Sequence, residues 1–345
     1  MSFQRIRFLL RSVLLPALAA ASMAAHAGPF TGIFIFGDSL SDTGNVSIAT
    51  GGAAPDPTQP YAPGRFSDGP LWVETFAAGL GLAAQATPAL AGGNNYAFAG
   101  ARTGFSGAGE PLGVLSQVVG LWGQGTPVDP SRADPNALYV VVAGGNDMRD
   151  ARTLYPSNSP ADIAGRAAMA AAAFNNLAAT IGYLAASGAR NVLISTLPDL
   201  GATPEAMFLN LQAASTDATN FFNGLVPTLL SLYAGLNIEL LDMAAIAANV
   251  YANPQDFGVT NVSFPCGSFD FSEGESCATS LFSDALHPSA YAHLLIGQAA
   301  LAIYGVPVPG TLALMALALL LMVGIQRSRA GRSRVMVAVL RPAAR

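Results

Sequence analysis

Lysine is absent from the 345 residues, and charged residues of all kinds make up only 11% of the chain, where a soluble domain usually carries about a quarter. An ordinary cytosolic protein is therefore not what this composition describes. All 16 cations are arginine, and they crowd at the ends. Arg5, Arg7 and Arg11 lie in the first eleven residues and Arg327, Arg329, Arg332, Arg334, Arg341 and Arg345 in the last nineteen. Between them remain seven arginines against 21 acidic residues, all from Asp38 to Asp284, a net of −14. A body of that sign repels polyphosphate and excludes nucleic acid as a partner.

Other shortages narrow the chemistry. There are three histidines and two cysteines, too few and too scattered for a metal constellation. No Gly-x-Gly-x-x-Gly occurs, so no nucleotide cofactor is indicated, and no Gly-x-Ser-x-Gly, which counts against the α/β-hydrolase elbow. Cofactor-free chemistry remains. What the chain has in abundance is apolar residues, 52% of the total. They can bury enough surface to offset the entropy of ordering, which excludes disorder and predicts one large core.

The two ends read as targeting segments. Residues 1–27 combine the arginine-bearing start, an apolar run from Val13 to Ala25 and the small-x-small sequence Ala25-His26-Ala27, the pattern of a signal peptide. A domain is expected over 28–305. After it, residues 312–325 form an unbroken apolar run followed by four arginines, a short membrane segment with its basic flank on the cytoplasmic side. The sequence Val306-Pro307-Val308-Pro309-Gly310-Thr311, the apolar run and the arginines together resemble the PEP-CTERM sorting signal, with Val308 where that family has glutamate. The resemblance implies export, with an exosortase as processing partner. Two locations follow: the periplasmic face of the inner membrane with the tail kept, or the cell surface or medium with the tail removed.

Between the ends, four short Val/Ile/Leu/Tyr-rich runs, 33–36, 137–143, 191–197 and 237–241, have the character of strands buried on both faces. They alternate with helical stretches at 71–80, 161–187, 205–233 and 290–304, which predicts a parallel sheet with helices on both sides. Residues 50–69 and 101–135 read as long loops, and in such folds loops gather at the carboxyl ends of the strands, where ligands bind. Cys266 and Cys277 share a loop, for which a disulfide is the simplest reading in an exported chain. A two-cysteine metal site is the other reading, but it lacks histidine partners.

Chemistry begins where the first strand runs into Gly37-Asp38-Ser39. A serine at the end of a buried strand has its hydroxyl presented at the rim of the sheet, although Ser39, Ser41, Asp42 and Thr43 would serve equally as helix caps. A base is scarce, because His26 leaves with the signal peptide. His287 follows Asp284 by three residues, a spacing at which the carboxylate can hold one ring nitrogen and free the other. His293 has no acidic neighbour in sequence and reads as an exposed or half-buried helix residue.

Five segments in order, FGDSLSDTGN (36–45), RFSDGPLWVE (65–74), NYAFAGAR (95–102), GGND (144–147) and DALHP (284–288), resemble the successive blocks of the GDSL, or SGNH, hydrolases. The resemblance implies a three-layer α/β/α sandwich on a flavodoxin-like parallel sheet of about five strands. It implies Ser39 as nucleophile, His287 as general base and Asp284 as its orienting carboxylate, with an oxyanion hole made by the backbone amides of Ser39 and Gly100 and the side-chain amide of Asn146. The expected activity is hydrolysis of carboxylic esters through an acyl-enzyme, without cofactor or metal. A lipid acyltransferase with the same residues, or a non-enzymatic surface protein on this fold, are the other classes.

Overall fold

The structure is a computed structural model that describes residues 29–125, 128–266 and 276–306. The expected leader and the expected tail beyond Val306 lie outside the described residues.

Four parallel strands make the main sheet: β1 (Ile33–Gly37), β2 (Leu138–Val142), β3 (Asn191–Ser195) and β4 (Asn237–Leu241), adjacent in that order. The register runs Ile33 to Leu138, Leu138 to Asn191 and Asn191 to Asn237. Alternation along each strand feeds two separate cores. Ile33, Ile35, Leu138, Val140, Val142 and Leu193 face one side; Phe36, Tyr139, Val141, Val192 and Ile194 face the other. Both sets are apolar because both faces are covered, which is why these runs read as continuous hydrophobic stretches.

The first core is closed by α2 (Trp72–Gly79) and α9 (Ala290–Ile303), through Trp72, Phe76, Ile296 and Leu301. The second is closed by α4 (Pro160–Ala186) and α6 (Gln212–Leu225), through Leu177, Ile181, Leu184 and Phe222. Helix α4 is long and apolar enough to cross a membrane, yet one side of it forms this core and buries Arg166 in an ion pair with Asp217, 2.7 Å. The remaining helices are α1 (Asn45–Ala49), α3 (Gly145–Leu154), α5 (Pro204–Phe208), α7 (Thr228–Leu232) and α8 (Met243–Ala252). The three-layer α/β/α sandwich is thus as expected.

Two expectations about its elements change. Among the described residues the main sheet has four strands, not five, because the fifth position is filled by irregular backbone. Residues 94–98 run along the free edge of β1, where Ile35 N donates to Asn94 O, Tyr96 N to Ile35 O and Phe98 N to Gly37 O. With that segment counted in place, chain order across the sheet is 2-1-3-4-5, the flavodoxin-like arrangement. The single helix expected over 205–233 is three, α5, α6 and α7. The first break falls at Asn210, which takes a left-handed φ of 55°, and the second at Pro227, whose ring cannot continue a helix interior.

The 254–283 segment contains β5 (Asn261–Pro265) and β6 (Ser280–Phe282), paired parallel. Cys266 and Cys277 are bonded there, with Cα atoms 5.0 Å apart. Both sulfurs being in that bond, they are not free to hold a metal with the nearby Asp68.

Candidate active site

Strand β1 ends at Gly37, and the turn after it leaves Ser39 at the rim of the sheet. The turn is held from below by buried polar side chains. Gln117 accepts from Gly37 N at 2.9 Å and donates to Gly37 O at 2.8 Å, closing the strand end. The Asp42 carboxylate accepts from the amides of Gly44, Asn45 and Val46 at the start of α1, and from Ala99 N at 2.9 Å. Asn45 donates to the carbonyls of Asn95 and Ala97, and Asn95 donates to Ser41 O. So Asp42 is a cap, and it also stitches the serine turn to the 95–100 segment.

Gly100 lies at the end of that segment with φ +80°, and a Cβ there would come 2.9 Å from the Pro111 ring. Only glycine suits both constraints. Asn146 opens α3 directly after β2. Its Nδ2 donates to Ala101 O at 3.0 Å, and its Oδ1 accepts from Arg149 at 3.2 Å. Arg149 in turn forks onto Glu205, 3.0 and 2.5 Å. Because the guanidinium is a donor only, it fixes which end of the Asn146 amide is oxygen and leaves the second N–H of Nδ2 uncommitted. Glu205 also bonds the buried Arg152, and its backbone N–H donates to Ala285 O at 2.7 Å, tying the amide's support to the turn that carries His287.

That turn is shaped by Asp284. Its Oδ1 accepts from Leu286 N at 2.7 Å and His287 N at 2.5 Å, a side-chain turn of the kind Asp favours. Ser283 N donates to His287 O, and Ser289 caps α9 by accepting from Ala292 N. The outcome is a short line of groups: Asp284 Oδ2 is 2.6 Å from His287 Nδ1, and His287 Nε2 is 2.9 Å from Ser39 Oγ. Ser39 and His287 are 248 positions apart in the chain.

Electrostatics separates the carboxyls. Burial alone opposes ionisation of Asp284, but His287, the hydrogen bonds from its ring and backbone, and the Tyr61 hydroxyl outweigh it and hold the carboxyl at about 2. Asp38, beside the serine, is pushed up to about 6 by burial, only partly offset by its bond from Leu40 N and the nearby His287. His293 is fully buried, contrary to the exposed or half-buried position expected of it. Its Nδ1 accepts from Trp72 N at 3.3 Å, and burial pushes it down to about 3, so it stays neutral inside the first core.

Ser39, Asn146 and His287 open onto one pocket of about 980 Å³, counting its mouth. Its walls are apolar: Leu197, Leu200, Met243, Ile246, Val250 and Phe282 among others. Sequence reasoning missed Tyr61, Gln117, Arg149 and Glu205. Of these only Arg149, three residues after Asn146 and so on its side of a helix, left a signal in the sequence.

Residues 33–300 match the family described as GDSL-like lipase/acylhydrolase. The chain is 31% identical over 342 residues to the uncharacterized protein in the trpE-trpG intergenic region of Pseudomonas putida, covering 88% of this chain and 52% of that one. It is 29% identical to Esterase EstA of Pseudomonas aeruginosa, covering 84% and 49%. It therefore spans about half the length of these two relatives. A phosphatidylcholine-sterol acyltransferase of Aeromonas hydrophila is 28% identical over 258 residues, covering 73% and 70%. Among solved structures, the aryl esterase of M. smegmatis aligns over 80% of this chain and 99% of its own at 17% identity and a TM-score of 0.41.

Proposed function

The chain belongs to the GDSL-like lipase/acylhydrolase family, and from that premise we propose that it is an exported serine esterase or lipase that cleaves carboxylic esters through Ser39, His287 and Asp284. The observation that carries the reading is the line of contacts from Asp284 Oδ2 through the His287 ring to Ser39 Oγ, 2.6 and 2.9 Å. In the neutral imidazole the proton sits on Nδ1 and donates to Asp284, so Nε2 accepts the serine proton.

Ser39 Oγ attacks the ester carbonyl as its proton passes to Nε2. The oxyanion forms against the amides of Ser39 and Gly100 and the second Nδ2 hydrogen of Asn146. Collapse expels the alcohol, which takes the proton from His287, and leaves the acyl group on Ser39. Water, deprotonated by His287, then attacks the acyl carbonyl; the bond to Ser39 Oγ breaks as Oγ takes the proton back from His287, and the acid is released. Neither metal nor cofactor enters any step. The low position of Asp284 keeps it charged opposite the imidazolium throughout.

The apolar walls of the pocket suit an aliphatic acyl chain rather than acetyl. A chain-length series of p-nitrophenyl esters on the purified protein tests this, with medium chains expected to exceed acetate in kcat/KM. Fluorophosphonate labelling of the wild type, lost in Ser39→Ala, tests the nucleophile. Labelling that persists in Ser39→Ala would sink the assignment.

A second reading, transfer of the acyl group to an alcohol, is favoured by the similarity to the Aeromonas acyltransferase. Product analysis with a competing alcohol separates the two. Location is part of the proposal and rests on charge order alone: arginines before the first apolar run and after the last put the acidic body outside the inner membrane. Fractionation with an internal epitope tag, followed by intact mass, reads both the topology and any cleavage near residues 307–311, where Val308 replaces the usual glutamate.

A further inference from the structure

The segment Tyr61–Asp68 is remote in sequence from His287 and touches the turn around it four times. The Tyr61 hydroxyl donates to Asp284 Oδ2 at 2.6 Å. The Phe66 ring lies 5.3 Å from the His287 ring, and Tyr61 packs on Phe66 at 5.8 Å. Ser67 Oγ donates to Pro288 O at 3.0 Å, and Asp68 Oδ1 accepts from Ala290 N at 2.8 Å.

The segment is itself braced. Ala62 N donates to Ser67 O and Arg65 N to Ala62 O. Arg65 forks onto Glu74, 2.7 and 2.5 Å, and Glu74 also accepts from Leu71 N. Just after it, a Cβ on Gly69 would stand 2.7 Å from the Ala290 Cβ. That approach fits a docked loop and not one that swings.

We propose that this loop is a fixed clamp on the base, and that Tyr61 is a positioning residue which, by donating to the carboxylate oxygen that holds His287 Nδ1, sets how strongly Asp284 holds the His287 ring. The proposal rests on the reading of His287 as general base. The Asp284 carboxylate accepts four bonds, two on each oxygen. A donor shared on Oδ2 draws charge away from the imidazolium, so its removal strengthens the Asp284–His287 attraction and makes the base harder to deprotonate.

The other groups facing this pair are Asp38 from the serine turn and His293 from α9, while Asp56 faces Tyr61. All three stay in place when Tyr61 loses only its hydroxyl. Burial and the neighbouring Asp284 raise Tyr61 above its ordinary range, so it remains a proton donor at every working pH.

The test compares Tyr61→Phe with Ser67→Ala, which loosens the same loop without touching Asp284. Two profiles are read against pH in the full chain: kcat/KM for a p-nitrophenyl ester, and the rate of fluorophosphonate labelling. For Tyr61→Phe the expected result is a roughly tenfold fall in kcat with KM unchanged, and an acid limb displaced to higher pH in both profiles. Ser67→Ala is expected to lower kcat with the limb where the wild type has it. A Tyr61→Phe limb that coincides with the wild type, or an equal displacement in Ser67→Ala, would overturn the proposal while leaving the esterase reading standing. A wild-type protein that fluorophosphonate does not label would overturn both.

Discussion

Ser39 and Asn146 stand just past the carboxyl ends of neighbouring strands of the main sheet, whereas Asp284 and His287 stand on a turn that belongs to no strand of it. The serine turn is supported from beneath by side chains that bond backbone: Gln117 on Gly37, Asp42 on the amides of Gly44, Asn45, Val46 and Ala99, Asn45 and Asn95 on one another's segments, while Asn146 is held by Ala101 O and Arg149. The second pair is held from outside, by a loop whose Tyr61, Phe66 and Asp68 are half-buried and whose Ser67 is buried. The serine side is thus part of the fold's foundation, and the histidine side is an attachment to it. This predicts that substitutions at the two sides fail differently, in chemistry when the reacting atom goes and in stability when a buried acceptor goes.

The largest effect is expected at the point where the two sides meet. Ser39→Ala should lower kcat for ester hydrolysis by about 10⁴-fold or more with an unchanged melting temperature, because the hydroxyl is at the rim and none of the core rests on it. Steady-state kinetics alongside thermal melts checks both halves of the statement. A large loss of stability would mean that Ser39 is structural after all.

Next comes Asn146, which sits on the serine side and which the proposed mechanism uses only in the transition state. Asn146→Ala should cost about 10²-fold to 10³-fold in kcat with little change in KM, and it should be milder than Ser39→Ala. A rise in KM with kcat intact would instead make Asn146 a binding residue, and the Arg149–Glu205 support described above would then have another purpose.

How much of this was legible in the sequence follows the same division. The four strand runs and the helices at 71–80, 161–187 and 290–304 were readable because burial on both faces leaves unbroken apolar stretches and long amphipathic periods. The site residues were readable as blocks, and Ser39, Asp284 and His287 do come together. What could not be read are contacts made across the chain by ordinary residue types. Tyr61 reaches Asp284 over 223 positions and Gln117 reaches Gly37 over 80; neither carries a local pattern. His293 was misjudged because its lack of an acidic neighbour in sequence says nothing about which side of α9 it occupies. The β5–β6 pair was hidden in a stretch whose composition resembles a loop.

The foundation side should then show its nature in stability. Asp42→Ala leaves the amides of Gly44, Asn45, Val46 and Ala99 without their acceptor in a buried place. Each orphaned donor carries a desolvation cost, and a total of about 3 kcal/mol is expected. Urea midpoints, with activity per folded molecule measured in parallel, separate this from catalysis. A stable variant with lost activity would contradict the distinction drawn between the two sides.

The smallest effect runs the other way and concerns Asp38, the carboxyl next to Ser39. Burial raises it from an ordinary 3.8 to about 6, so the folded protein prefers it protonated. Its stabilising contribution is therefore fully present below about 3.8 and is lost as the pH climbs through about 6. Above that, the fold holds an ionised carboxylate in a place that resists charge. Asparagine keeps the oxygen that accepts from Leu40 N at 3.0 Å and never ionises. Asp38→Asn should consequently match the wild type in stability near pH 4 and exceed it by about 2 kcal/mol at pH 8, seen as melting temperatures that diverge as the pH rises. Parallel curves at all pH values would show that Asp38 is better solvated than its 3% exposure suggests.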